Sequence, residues 1–266
     1  MARSALLNVM VQAAMKAGRS LSRDFGEVQN LQVSLKGPAD YVSQADRKAE
    51  DILFAELSRA RPGYGFLMEE RGVIAGDDDQ HRWIVDPLDG TTNFLHGLPI
   101  FSISIALERQ GQITAGVIYN PATDELFTAE RGGGAFVNDR RLRVAARSKL
   151  SDAIIGTGVP HLGLGHHGNY LVELRNVMGE VAGIRRLGSA ALDLAYVAAG
   201  RMDGFWEDPL RPWDIAAGML LIKEAGGFVS DRNGEQNMFE NHSIVAGNEA
   251  IHKALLKTLK KPVSAR

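Results

Sequence analysis

The sequence predicts a layered α+β fold, and three observations carry that reading. Stretches with helical periodicity alternate with strand-like stretches, but irregularly, unlike a regular strand–helix–strand series. The middle of the chain reads as consecutive hairpins, with turn residues at Gln110-Gly111 and Gly132-Gly133-Gly134. No internal repeat, low-complexity run or long linker interrupts the 266 residues, a length that suits one large domain or two tightly joined halves.

Taken in order, residues 3–22 place Ala5, Leu6, Val9, Met10, Ala13, Ala14, Ala17 and Leu21 at helical spacing. The segment is broken by polar residues, so it reads as an amphipathic helix and not as a signal peptide. Val28–Leu35 alternates as a strand or hairpin arm, and Lys36-Gly37-Pro38 reads as a turn. Asp40 to Arg61 reads as a second helix, ended by Pro62-Gly63. Tyr64–Met68 is a short apolar strand stopping at Glu69-Glu70, and 71–81 is a polar loop whose Asp77-Asp78-Asp79 reads as a solvated turn. Two strand pairs come next, Ile100–Leu107 with Gln112–Tyr119 and Glu125–Ala129 with Ala135–Val137. Beyond them lie strands Ala153–Gly158, Val181–Arg186, Gly204–Trp206, Phe228–Ser230 and Ser243–Ala246. The intervening helices are Tyr170–Met178, Ala190–Ala199 behind Gly188-Ser189, Pro212 to about Ala225, and Glu249–Leu259. The Gly/His loop Pro160–Gly168 offers no convincing set of metal ligands.

Composition narrows the function. The formal net charge of -2 gives no bulk attraction to nucleic acid or to an acidic membrane. There is no cysteine, which excludes disulfides, zinc thiolates, iron–sulfur clusters and thiol catalysis. No run reaches the roughly 18 apolar residues of a membrane span, and the cytoplasm is the default location. Neither a GxxxxGK[ST] phosphate loop nor a GxGxxG fingerprint is present.

The chemistry concentrates in Trp83–Gly97, WIVDPLDGTTNFLHG. Trp83, Ile84 and Val85 start a strand, and Pro87 predicts that it stops at Asp86. Asp89-Gly90 makes a turn, with Thr91 and Thr92 placed to cap a helical turn after it. Carboxylates this close repel unless a cation lies between them, and hard cations favour all-oxygen sites. The N–H groups after Gly90 suit a phosphate. Two readings are open at this point: a capped strand–turn–helix corner, or a metal-dependent phosphate site. Glu69 and Glu70 at a strand end, Asp214 in PWDIAAG at a helix start, and Asp40 and Asp46 near another helix start offer the same chemistry. Singly they read as caps and solvated acids; together they occupy the positions from which sheet proteins build sites.

Glu69-Glu70, then WIVDPLDGTTNFLHGLP, then WDIAAGMLLIKEAGG resemble, in order and spacing, the paired motifs of the inositol monophosphatase family. LKGPADYVSQAD resembles that family's N-terminal Lys…Asp…Asp segment, and the resemblance runs from about Leu6 to the last helix. Thr91-Thr92-Asn93 differs from the Ser-Ser of fructose bisphosphatases and the Thr-Lys-Glu of nucleotide 3′-phosphatases. The resemblance implies an αβαβα sandwich of the inositol monophosphatase / fructose-1,6-bisphosphatase type. It implies a single domain of halves about 1–145 and 146–266 with the site between them.

It also implies a Mg²⁺-dependent phosphomonoesterase that hydrolyses myo-inositol 1-phosphate. Glu69, Asp86 and the Leu88 carbonyl would hold a first Mg²⁺, and Asp86, Asp89 and Asp214 a second. Glu69 would reach a third ion, giving two to three in all. Thr91 and Asp46, with Glu69, would be catalytic: Thr91 and Asp46 would orient and deprotonate the attacking water. Gly90 and Thr91 would bind the phosphate, and Asp89, Gly188, Ala190 and Glu207 the substrate's hydroxyls. Lithium inhibition and a homodimer are further family expectations. Arg71 departs from the small residue many relatives carry. Thr157–Gly168 has no clean counterpart, so no substrate residue is carried over from it. Histidinol phosphate, fructose 1,6-bisphosphate and other sugar phosphates are alternative substrates. A protein-binding role in rRNA transcription or ribosome maturation is the alternative of another class, with a protein partner and no direct nucleic-acid binding.

Overall fold

A computed structural model describes residues 3–25, 33–37, 40–160 and 165–261. Two amphipathic helices, α1 (Ala5–Phe25) and α2 (Gln44–Ala60), lie on one face of an eight-stranded sheet. That sheet contains β3 (Tyr64–Met68), β4 (Gly72–Ile74), β5 (Asp78–Asp89), β6 (Ser102–Arg109), β7 (Gln112–Asn120), β8 (Glu125–Glu130), β9 (Gly134–Val137) and β10 (Arg140–Arg141). Its spatial order is β10-β9-β8-β7-β6-β5-β3-β4, and β3 with β5 is its parallel pair. A separate hairpin pairs β1 (Val33–Gly37) with β2 (Asp40–Ser43).

Helices α5 (Ala190–Ala198) and α6 (Pro212–Glu224) cover the other face of the large sheet. Their far side meets a five-stranded sheet of β11 (Ile154–Thr157), β12 (Gly183–Arg185), β13 (Gly204–Glu207), β14 (Phe228–Ser230) and β15 (Ile244–Gly247), ordered β12-β11-β13-β15-β14. Helices α4 (His167–Met178) and α8 (Glu249–Leu259) close its outer face, and the short α7 (Met238–Asn241) lies between β14 and β15 in the chain. The layers are therefore α, β, α, β, α. Each interface has its own core: Met10, Leu21 and Leu53 under the large sheet, Ile118, Leu194 and Ile215 between the sheets, and Trp206, Ile251 and Leu255 outside the small one. Helix α6 is buried along most of its length because apolar or small residues run all round it, as a helix sandwiched between two sheets requires.

Four sequence expectations are corrected. The second helix starts at Gln44 and not at Asp40, because Ser43 caps it and Asp40 pairs in β2. Loop 71–81 contains β4 and the start of β5, whose partners lie in β3, out of reach of local pattern. Gly37 lies in β1 and not in a turn; Pro38 and most of Val28–Leu35 fall outside the described residues, as does His161. Most important, β5 does not stop at Asp86. Its register against β6 runs from Asp86 opposite Ser104 to Asp89 opposite Ser102, one residue longer on the β5 side. This is a β-bulge, a place where Pro87's missing N–H costs no ladder bond. The triglycine hairpin does form between β8 and β9.

Candidate active site

The bulge bends the backbone of β5 where Asp86, Leu88 and Thr91 are linked by hydrogen bonds. Asp86 is 2% exposed, and its Oδ1 accepts the Leu88 N–H at 2.9 Å, closing the bulge. The Leu88 carbonyl is left facing Thr91 Oγ1, which donates to it at 3.0 Å. Gly90 sits at φ +93°, where a Cβ would lie 3.0 Å from the Ile100 carbonyl oxygen and 3.2 Å from that of Gly188, so glycine is required. It is the N-cap of a short helix α3 (Thr91–Leu95). Thr91 does not cap that helix, contrary to the sequence reading. Its hydroxyl points back toward Asp46 Oδ1 at 2.9 Å and the Leu88 oxygen. One hydroxyl hydrogen serves both acceptors, so Thr91 forms a shared relay between α2 and the bulge.

Asp46 is fully buried at N3 of α2. Its Oδ2 accepts the Ser43 N–H at 2.8 Å and the Ser43 hydroxyl at 2.5 Å, a capping box in which the acid is locked in place. Burial raises its pKa, against the hydrogen bonds from Ser43 and Thr91 that lower it. Glu69 comes directly after β3, and its N–H binds the Val85 carbonyl at 3.2 Å, which sets it beside Asp86. The next turn is held by Glu50 on α2, whose Oε1 accepts the Glu70 N–H at 2.9 Å and whose Oε2 pairs with Arg71 at 3.4 Å. Arg71 also pairs with Asp51, so its guanidinium ties this turn to two acids of α2.

The C-terminal elements bring the remaining acids. Ser104, opposite Asp86 in register, donates to the Trp213 carbonyl at 3.1 Å and pins the start of α6 to the large sheet. Pro212 occupies the first turn of α6 and Asp214 its N3 position, with Oδ2 accepting the Arg211 N–H at 2.6 Å. Asp89 is held at the N-terminus of α5: Ser189 Oγ donates to its Oδ2 at 2.5 Å and the Ala191 N–H at 2.8 Å. Ala190, 7% exposed, also turns its N–H toward Asp89. Asn93 Nδ2 joins the two strand groups through the Ile100 carbonyl at 2.7 Å and the Leu187 carbonyl at 2.8 Å, beside Gly188 at φ +86°.

Electrostatics unite the set. The Asp86 carboxyl lies well above the usual carboxylate range, first through burial and then through Glu69, Asp89 and Asp214, with a hydrogen bond to Glu69. Burial pushes Asp89 up to about 6, against the donors from Ser189, Ala191 and Ala190. Asp214 is raised well above its ordinary value by burial and by Asp89, Glu69 and Glu207. Glu207, at the end of β13, is pushed up to about 8 by burial and by Asp89, with Arg186 opposing.

Among the described residues, no three acid or histidine side chains already surround one point as ligands. The donor set nonetheless fits a hard divalent ion. It consists of recessed carboxylates that repel one another and a backbone carbonyl at a bulge, and a cation would remove the charge cost that raises their pKa values. Sequence reasoning missed the holders Ser43, Glu50, Asn93, Ser104 and Ser189, and the buried Asp193, whose carboxyl is raised well above the usual range by burial, Glu207 and Asp89. Ser43-Gln44-Ala45-Asp46 carries a capping-box spacing that points to the first of these. The others act across the fold and leave no local signal.

A five-layered αβαβα protein with an acidic crevice beside a β-bulge is the class that fold and site define. The model of the inositol monophosphatase family matches residues 2–264, and the chain belongs to that family. It is 82% identical, over the full length of both chains, to a protein of Mesorhizobium japonicum named inositol-1-monophosphatase. It is 46% identical to the Nus factor SuhB of Pseudomonas aeruginosa, over 96% of this chain and 95% of that one. The crystal structure of the extragenic suppressor protein SuhB from Bartonella henselae superposes at a TM-score of 0.96, with 70% identity, covering 98% of this chain and all of the other. Members of the family are metal-dependent phosphatases.

Proposed function

We propose that this chain is a Mg²⁺-dependent phosphomonoesterase that hydrolyses myo-inositol 1-phosphate to inositol and phosphate. The observation that carries the reading is the set of mutually repelling acids, Glu69, Asp86, Asp89 and Asp214, gathered at the β5 bulge and the start of α6. Glu69, Asp86, the Leu88 carbonyl, Asp89 and Asp214 would hold two to three Mg²⁺ ions. Bound there, the ions supply positive charge to the phosphate, lower the pKa of water and offset charge on the leaving oxygen.

The chain's own residues do the rest. The N–H groups of Gly90 and Thr91 bind phosphate oxygens at the turn. Thr91 Oγ1, its hydrogen directed to Asp46, accepts a hydrogen bond from the attacking water and orients it. The water's proton passes through Thr91 to Asp46. The new bond forms from the water oxygen to phosphorus while the ester P–O bond breaks, and the inositol oxygen leaves with a proton from solvent. Asp89, Gly188, Ala190 and Glu207 line the wall that meets the ring hydroxyls, with Glu207 suited to accept two of them.

The same reading takes the chain as one domain with halves of about 1–145 and 146–266, supported by the division of β3 to β10 and β11 to β15 between two sheets. It includes a homodimer, lithium inhibition and a cytoplasmic setting, the last in keeping with the absence of cysteine. No helix among the described residues is long and apolar enough to cross a membrane.

A phosphate-release panel with Mg²⁺ tests the substrate: inositol 1-phosphate should exceed histidinol phosphate and fructose 1,6-bisphosphate, and a rank near the bottom would overturn it. The SuhB relative favours a second reading, a protein-binding role in transcription or ribosome maturation. Pull-down from lysate with wild type and Asp89→Asn separates the two. A partner retained by the inactive variant, with function in cells intact, favours the binding role.

A further inference from the structure

Glu207 reaches the crevice from an adjoining strand, and its placement depends on a residue with no side chain. Strands β11 and β13 are parallel, with Thr157 opposite Trp206, so Gly158 and Glu207 are the next residues along both strands. A Cβ built on Gly158 would overlap all three atoms of the Glu207 carboxylate group. Two residues earlier on the same strand, a Cβ on Gly156 would stand 3.0 Å from Met202 Cε and Phe205 Cδ2 and 3.1 Å from Asp193 Oδ1. Residues two apart face the same side of a strand. One face of this stretch therefore carries no side chain at 156 or 158: Met202, Phe205 and Asp193 crowd the first position, and the Glu207 carboxylate fills the second. Gly158 is buried and has an ordinary φ, so a tight turn does not explain it.

We propose that Gly158 is a positioning residue that seats the Glu207 carboxylate against the substrate's hydroxyls, so that its missing Cβ sets the chain's preference for a polyol phosphate. The proposal rests on the reading of Glu207 as a substrate contact. Any side chain at 158 drives the carboxylate out of its seat and toward the substrate, while the acids at the β5 bulge stay in place. A site built to hydrogen-bond hydroxyls discriminates through such groups. Discrimination is then lost, while cleavage of a phosphate ester without ring hydroxyls is kept.

The test combines kinetics with a stability cycle on the full chain. For Gly158→Ala, kcat/KM on inositol 1-phosphate should fall about ten- to a hundredfold, the scale of a lost hydrogen bond to a charged group, mainly through KM. Turnover of 4-nitrophenyl phosphate should stay within about twofold, within which a binding change leaves the chemical step untouched. Adding Glu207→Asp, which shortens the acid, should restore part of the loss. Independently of activity, Gly158→Ala should lower the melting temperature in wild type and not in a Glu207→Ala background, because the clash is then gone. Equal losses on both substrates, or an equal drop in melting temperature in both backgrounds, would overturn the proposal. If wild type cleaves neither substrate, the enzymatic reading fails, and the melting cycle still decides whether Gly158 seats Glu207.

Discussion

Helix α6 carries an acid at each end, and the two are housed in opposite ways. Glu224, at its C-terminus, accepts the N–H groups of Gly132 and Gly134, each at 2.8 Å, from the triglycine hairpin. Asp214, in its first turn, receives one N–H from Arg211 and stands among Asp89, Glu69 and Glu207, which with burial push its carboxyl up. Beside Glu224 lies a cavity of about 580 Å³, lined by residues such as Ile113, Met219, Lys223 and Phe239. That cavity lies beside an acid whose charge is already met by backbone donors. The other end is the better candidate, because unrelieved like charge in a recessed site is a cost that folding alone has no reason to carry. At the Glu224 end the same helix carries an acid whose two oxygens are each met by a backbone N–H.

The largest effect should come from removing a carboxylate at the Asp214 end. Asp214→Asn and Asp89→Asn should each cut turnover on inositol 1-phosphate by at least about a hundred- to a thousandfold, the scale of losing one preorganised charge-stabilising group. Thermal melting of the metal-free variants should show no loss of stability, since each substitution removes repulsion. Near-normal rates at saturating Mg²⁺ would sink the ligand assignment. Thr91→Val, which deletes the hydroxyl between Asp46 and Leu88, should lower kcat by about a hundredfold, as expected for proton transfer to a positioned group. KM should barely move, and a change confined to KM would place Thr91 in binding alone.

Stability against pH sharpens the contrast. Asp89 is raised to about 6 and Glu207 to about 8 in the folded chain, and Asp86 and Asp214 are raised as well. The native state therefore binds more protons than the unfolded state between roughly pH 4 and 8, so metal-free stability falls as pH rises through that window. Melting curves of chelated protein should drop from pH 5 to 8, and Mg²⁺ should raise the melting temperature more at pH 8 than at pH 5. A flat profile would mean that the acids are already neutralised by the chain. The smallest effect belongs to the other end of α6. Glu224→Gln should cost about 1 kcal/mol, a net hydrogen-bond contribution, or ~2–4 °C for a chain of this size, and leave turnover unchanged.

The contrast also explains how much was legible in the sequence. Helix α8 has the bounds expected from the sequence, Glu249–Leu259, and the structure shows why it is locally defined: its cap is the adjacent Asn248, whose side chain accepts the Ile251 N–H. The acids themselves were legible through the motifs that carry them. The bulge at Pro87-Leu88 was not, because an extra residue in a strand is defined only against its neighbour, here Ser102 and Ser104 on β6. For the same reason Ser189, a hundred positions from Asp89, gave no sign that it would hold that carboxylate. Nor did the glycines at 132 and 134 announce that their N–H groups would be spent on Glu224.

The central claim is that the acids at the β5 bulge form a divalent-cation site on which hydrolysis depends. Calorimetric titration of Mg²⁺ into metal-stripped wild type and Asp86→Asn tests it most directly. Saturable binding by wild type that is lost in the variant is the predicted result. Equal binding by the two proteins would contradict the claim.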